Sequence, residues 1–194
     1  MMQHYRMPTR LLDWSENALV ALYFAVSSDA AEDGELWALL PWELNAKAGA
    51  GYGSPIVSDS PQVKFMLREP YWNGSPHALC QEVGLISVVR SPVAIEPRWV
   101  FPRMAAQAST FTMHPTPQEG QGITDVLTDS KHLVRYVIPS SFKPTLVQQL
   151  RSLCISDRHL FPDLEGLSRM IVTDGHVIGY GPPEPPLCSG DYDL

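Results

Sequence analysis

Lysine is scarce in this chain. Four residues, Lys47, Lys64, Lys131 and Lys143, and ten scattered arginines stand against 21 acidic side chains, for a formal net charge of −7. A phosphate-binding surface gathers Lys and Arg on one face, so neither nucleic acid nor an anionic membrane is an expected partner. Cysteine is also sparse. Cys80, Cys154 and Cys188 are far apart and include no Cys-x-x-Cys pair, which leaves no disulfide framework to read and fits the reduced thiols of a cytoplasmic protein. The longest apolar run has nine residues, Ala18 to Val26, well short of a membrane span, and the start lacks a basic region followed by an apolar core. Neither anchor nor signal peptide is expected. The six histidines show no metal-ligand spacing, so no metal site is expected, and no Gly-x-Ser-x-Gly elbow occurs.

The polar groups are concentrated at the beginning. Gln3-His4-Tyr5-Arg6-Met7-Pro8-Thr9-Arg10-Leu11-Leu12-Asp13-Trp14-Ser15 leads into the nine apolar residues, so functional groups are anchored on an element destined for the interior. Asp13 and Glu16 stand in capping-box spacing and predict a helix N-terminus at Asp13. Ala18 to Val26 is apolar over nearly the whole circumference, which predicts a core helix. Its alanines at 18, 21 and 25 leave room for another backbone to approach, and Gly34 is placed to end the helix.

Further along, Leu36 to Leu40 reads as a buried strand stopped by Pro41, and Trp42 to Ala48 as a short helix ended by Gly49. The Gly-rich run 49–55 opens no helix and reads as a loop. A helix is expected over 62–67 and strands over 85–89 and 93–95. Residues 98–106 are helix-like, limited by Pro102, and a strand follows over 109–114. Residues 115–122 read as a loop, 132–138 as a strand and 144–154 as a helix with proline in its first turn. A last helix is expected over 163–172. The mixture shows no regular βαβ rhythm, which predicts an α+β fold in one domain over 1–178. The Pro- and Gly-rich tail 179–194 is expected to be disordered.

The stretch from Gln3 to Val26 resembles the signature of FRG domains, in which Gln-His-Tyr-Gly-x-Pro-Thr-Arg-Leu-Leu-Asp-Trp-Thr precedes a helix reading Leu-Val-Ala-Leu-Tyr-Phe-Ala. Two later segments are similar to the family as well. Arg103 to Phe111 matches an Arg-(x)3-Gln-x-x-x-Phe segment, and Leu160 to Leu167 matches a closing Phe-Pro-Asp-Leu-x-Gly helix. Two departures stand out: Arg6 occupies the usual glycine position, and the aromatic-Arg-Gly motif upstream of the signature is absent. The resemblance therefore implies an N-terminally incomplete copy.

The order of these segments is similar, as a fold-level analogy, to ADP-ribosyltransferases that cleave NAD. The implied catalytic residues are His4, Arg10 and Gln107, with Gln3, Tyr5, Thr9, Asp13, Trp14, Arg103 and Phe111 around a nucleotide. His4 has an imidazole that exchanges a proton near neutral pH, or it is a hydrogen-bonded structural histidine. Arg10 can clamp a phosphate or carboxylate, or pair with Asp13 and hold the turn. Trp14 offers a stacking face or belongs to the core, as Tyr23 does. Arg103 and Gln107 stand one helical turn apart, facing a shared cleft or solvent. Gln107 falls where the analogy places a glutamate and cannot stabilise an oxocarbenium ion by charge. The implied function is therefore an NAD- or nucleotide-binding domain with impaired or no catalysis. A non-catalytic protein-interaction module is the alternative.

Overall fold

Proline sets most of the helix starts. Pro41, Pro61, Pro76 and Pro102 each open a helix, and Pro144 is the second residue of another. The first turn of a helix leaves its N–H groups without intrahelical acceptors, so a residue lacking that group loses nothing there, and its fixed φ is already helical. The computed structural model describes residues 10–50, 56–116 and 121–163. Over them strands and helices mix without a repeating βαβ order, the α+β class. The expected final helix over 163–172 and the tail lie outside the described residues, apart from Asp163, as does most of the Gly-rich run 49–55.

The chain forms two compact units, and it passes between them after residues 14, 36, 98, 108 and 136. The first unit is built on a four-stranded sheet of β1 (Leu11–Ser15), β5 (Ser109–Met113), β4 (Val93–Glu96) and β3 (Ile56–Val57), in that spatial order. β4 runs antiparallel to β5, with Ala94 opposite Thr112, and parallel to β3, with Ile56 opposite Ile95. Alternate residues point to opposite faces. Val93, Ile95 and Met113 therefore pack with Val63, Phe65 and Met66 of α3 (Pro61–Arg68) and with Leu79 and Cys80 of α4 (Pro76–Val83). On the other face Ala94 meets Leu44 of α2 (Pro41–Lys47), Ile123 of α6 (Ile123–Val126) and Leu127, with Trp14 partly buried against them. Asn45 of α2 is fully buried. Its Nδ2 donates to the Ala94 carbonyl at 3.1 Å and its Oδ1 accepts the Ala94 N–H at 2.7 Å, so the side-chain amide stands in for a strand partner.

The second unit holds α1 (Ala18–Ser27), α5 (Pro102–Ala106), α7 (Lys143–Ser152) and α8 (Asp157–Leu160). Its core joins Val20, Tyr23 and Val26 of α1 to Leu150, Leu160, Phe161 and Ile138. β2 (Gly34–Leu39) and β6 (Leu133–Ile138) pair in a separate two-stranded sheet. Lys143 is buried at the end of α1, where its Nζ donates to the carbonyls of Ser28 at 2.9 Å and Asp29 at 2.8 Å. A cation is favoured there, because the C-terminus of a helix presents unpaired carbonyls.

Several expectations need correction. Asp13 lies in β1 and caps no helix; the N-cap of α1 is Asn17, whose Oδ1 accepts the Leu19 N–H at 2.9 Å. Helix α1 is buried along one stripe only. Leu19 and Phe24 are 40% and 42% exposed, because packing against α7 covers a single face. The strand at Leu36 to Leu40 is not buried: β2 runs from Gly34 to Leu39 with only Gly34 fully inside, since a two-stranded sheet has no neighbouring strand to enclose it. Gly34 ends no helix. It opens β2 pressed onto α1, where an added Cβ would collide with the Ala25 carbonyl oxygen.

Residues 85–89 form no strand. The N–H of Leu85 is used to close α4 on the Cys80 carbonyl at 2.8 Å, after Gly84 turns left-handed at φ +81°. Helix α4 itself was not expected, because Asn73 to Pro76 resembles a turn; there Ser75 is the N-cap, its hydroxyl accepting the Ala78 N–H. The short helices α6 and α8 were likewise not expected.

Candidate functional site

In the first unit residues 10–14 of the signature lie along an antiparallel strand pair. The His114 N–H donates to the Arg10 carbonyl at 2.8 Å, which sets β1 beside β5. Trp14 then lies near Thr112, and its indole N–H donates to the Thr112 hydroxyl at 3.1 Å. That hydroxyl is 1% exposed as a residue and 3.2 Å from Nε2 of His114. An indole can only donate, so the Thr112 oxygen receives Trp14 and its own proton is free for His114 when Nε2 is bare. Burial pushes the His114 imidazole below its usual range and so favours that neutral form.

Arg10 extends toward α3, where its Nη2 donates to the Met66 carbonyl. Its Nη1 is buried without a hydrogen-bond partner among the described residues. Burial lowers the guanidinium pKa, while the nearby Glu69 and Tyr71 act in the opposite direction. Glu69 is itself held, its Oε2 accepting the Thr116 hydroxyl at 2.9 Å. Asp13 is an exposed strand residue. Phe111 stands opposite Ile95 in β5, so strand alternation turns it to the face away from Thr112 and Trp14.

Arg103 and Gln107 belong to the second unit. Arg103 is the second residue of α5 and Gln107 its C-cap, one turn apart, and they reach the end of α8 and the segment just after it. The Arg103 guanidinium lies 4.5 Å from the centre of the Phe161 ring and pairs with Asp163 at 3.6 Å. Gln107 donates from Nε2 to the Leu160 carbonyl at 3.0 Å, and its backbone carbonyl accepts the Ser15 hydroxyl at 2.7 Å. Phe24 of α1 meets Phe161 edge to face, with ring centres 6.1 Å apart. Gln3, His4, Tyr5 and Thr9 lie outside the described residues. Sequence reading missed Thr112, His114 and Glu69, which carry no local motif; Thr112 and His114 have one signal, their place in the strand expected over 109–114, and Glu69 has none.

Among the described residues no group of His, Cys, Asp and Glu could hold a metal ion, and no helix is long and apolar enough to cross a membrane. A family model described as FRG domain matches residues 1–34. This span contains the signature from Gln3 to Val26. No curated protein and no solved structure matches the chain.

Proposed function

We propose that this chain is an ADP-ribosyltransferase-like domain that binds NAD or a related nucleotide at the signature, with little or no turnover. The observation that carries the reading is Arg10. One arm of its guanidinium is fixed on a backbone carbonyl while the other, Nη1, is out of water with no partner among the described residues. A buried donor left unsatisfied costs roughly 1–3 kcal/mol, and an anionic group such as a phosphate would recover it with a charge-assisted bond. Weak turnover follows from the late position: Gln107 has no carboxylate, and its amide is already engaged. The low cysteine content, three residues far apart with no Cys-x-x-Cys pair, favours a cytoplasmic setting.

Calorimetric titration of the whole chain with NAD and with ADP-ribose tests this. Saturable heat is expected for the native sequence, with affinity reduced at least tenfold in Arg10→Ala and also in His4→Ala. A folded native chain that gives no heat with either compound would overturn the reading. The protein-interaction module would then stand, favoured by the exposed run Trp99, Val100 and Phe101, which are 52%, 73% and 48% accessible.

A further inference from the structure

Gln107 occupies a junction in the second unit. It ends α5 with its N–H on the Arg103 carbonyl at 3.0 Å. Its own carbonyl takes the Ser15 hydroxyl and its amide reaches the Leu160 carbonyl. The next residue, Ala108, holds φ at +44° and receives the Glu16 N–H at 2.9 Å. This left-handed conformation costs a non-glycine residue free energy. It is kept where the chain entering α1 docks. One turn earlier, Arg103 covers Phe161 and pairs with Asp163. Three segments far apart in sequence, Ser15–Phe24, Arg103–Ala108 and Leu160–Asp163, thus converge on one residue and its neighbours.

We infer that Gln107 is a positioning residue that seats the Leu160–Asp163 segment through the amide N–H of its side chain, and that a glutamine is required there for a donor. An ionised glutamate has no proton to give and would set a carboxylate oxygen against the Leu160 carbonyl. Leu160 and Phe161 are 1% and 5% exposed, so their interior setting leaves water little room to compensate. A protonated glutamic acid, by contrast, is close to glutamine in shape and donates from its hydroxyl. The inference is independent of nucleotide binding and holds whether or not Arg10 takes a ligand.

Gln107→Glu and Gln107→Met test it, with hydrogen exchange of the backbone amides of residues 157–163 as the readout. At neutral pH both variants are expected to exchange roughly tenfold faster than the native chain, the loss of one buried hydrogen bond. On acidification through the carboxyl range the Glu variant regains native protection, while the Met variant does not. Arg103, Asp163 and Glu16, and Asp157, Arg158 and His159 of α8, are the charged and ionisable residues of the three segments, and they are the same in all three proteins. The ratio of variant to native rates at each pH removes their common effect. A Gln107→Glu protein that folds only on acidification supports the same conclusion. The inference is overturned if Gln107→Glu matches the native protection at neutral pH, if acid restores both variants equally, or if Gln107→Glu releases nicotinamide from NAD faster than the native chain with its 157–163 protection intact.

Discussion

Tyr23 shows how one side chain sets a pH limit. It is 6% exposed, and its phenol is pushed up to about 12, first by burial and then by a hydrogen bond with Asp157. The unfolded phenol titrates near 10, so between about pH 10 and 12 the folded chain holds a proton that the unfolded chain has released. The contribution is complete below pH 10 and is lost as the pH climbs through 12, a difference of roughly 3 kcal/mol. Urea midpoints measured up that range should fall for the native protein and fall less steeply for Tyr23→Phe; equal slopes would remove Tyr23 as the cause. That Tyr23 is a core residue was legible from its place in an apolar run. Its partner was not, because Asp157 is remote in sequence and sits on a four-residue helix with no periodicity to reveal it. The same holds for Gln107: spacing places it beside Arg103, but no spacing says which carbonyl its amide will reach.

Elements here meet at backbone distance as well as through side chains. β2 begins at Gly34, where an added Cβ would run into the carbonyl oxygen of Ala25 and stand 3.2 Å from Lys143 Cε. Ala25 was recognisable as a small residue that permits such an approach, whereas Gly34 was given the wrong duty, because glycine after a helix signals a C-cap more often than a contact. Gly34→Ala is expected to cost roughly 2 kcal/mol by overpacking. A urea melt would measure this, and an unchanged midpoint would show that the β2–α1 contact can yield. The elements read correctly, such as α2, α3, β4, β5, β6 and α7, carry their own boundary signals in proline, β-branching or capping residues. Those misread depend on neighbours: Leu85 to Val89 is β-branched enough for a strand, but its first N–H is taken by the helix before it. At the start of α1, Asp13 and Asn17 are both good capping residues, and the pairing of β1 with β5 removes Asp13 from the choice.

The whole molecule is interleaved. Each unit is assembled from three separate stretches of chain, so neither can be cut out as one continuous piece. Unfolding one unit would free every stretch of the other where the chain crosses between them, and a single cooperative transition is expected. Calorimetric and van't Hoff enthalpies should then agree, and tryptophan fluorescence should follow the same curve as far-ultraviolet circular dichroism; two resolved transitions would contradict this. The buried amide of Asn45 has a consequence at this scale too. Among the described residues β3 pairs only Ile95 and Glu96 of β4, which leaves Ala94 with no strand on that side. Exposed margins of this kind recruit strands from other molecules. By occupying both backbone groups of Ala94, α2 closes the margin from within its own chain, and the sheet offers no template there for growth into a larger aggregate.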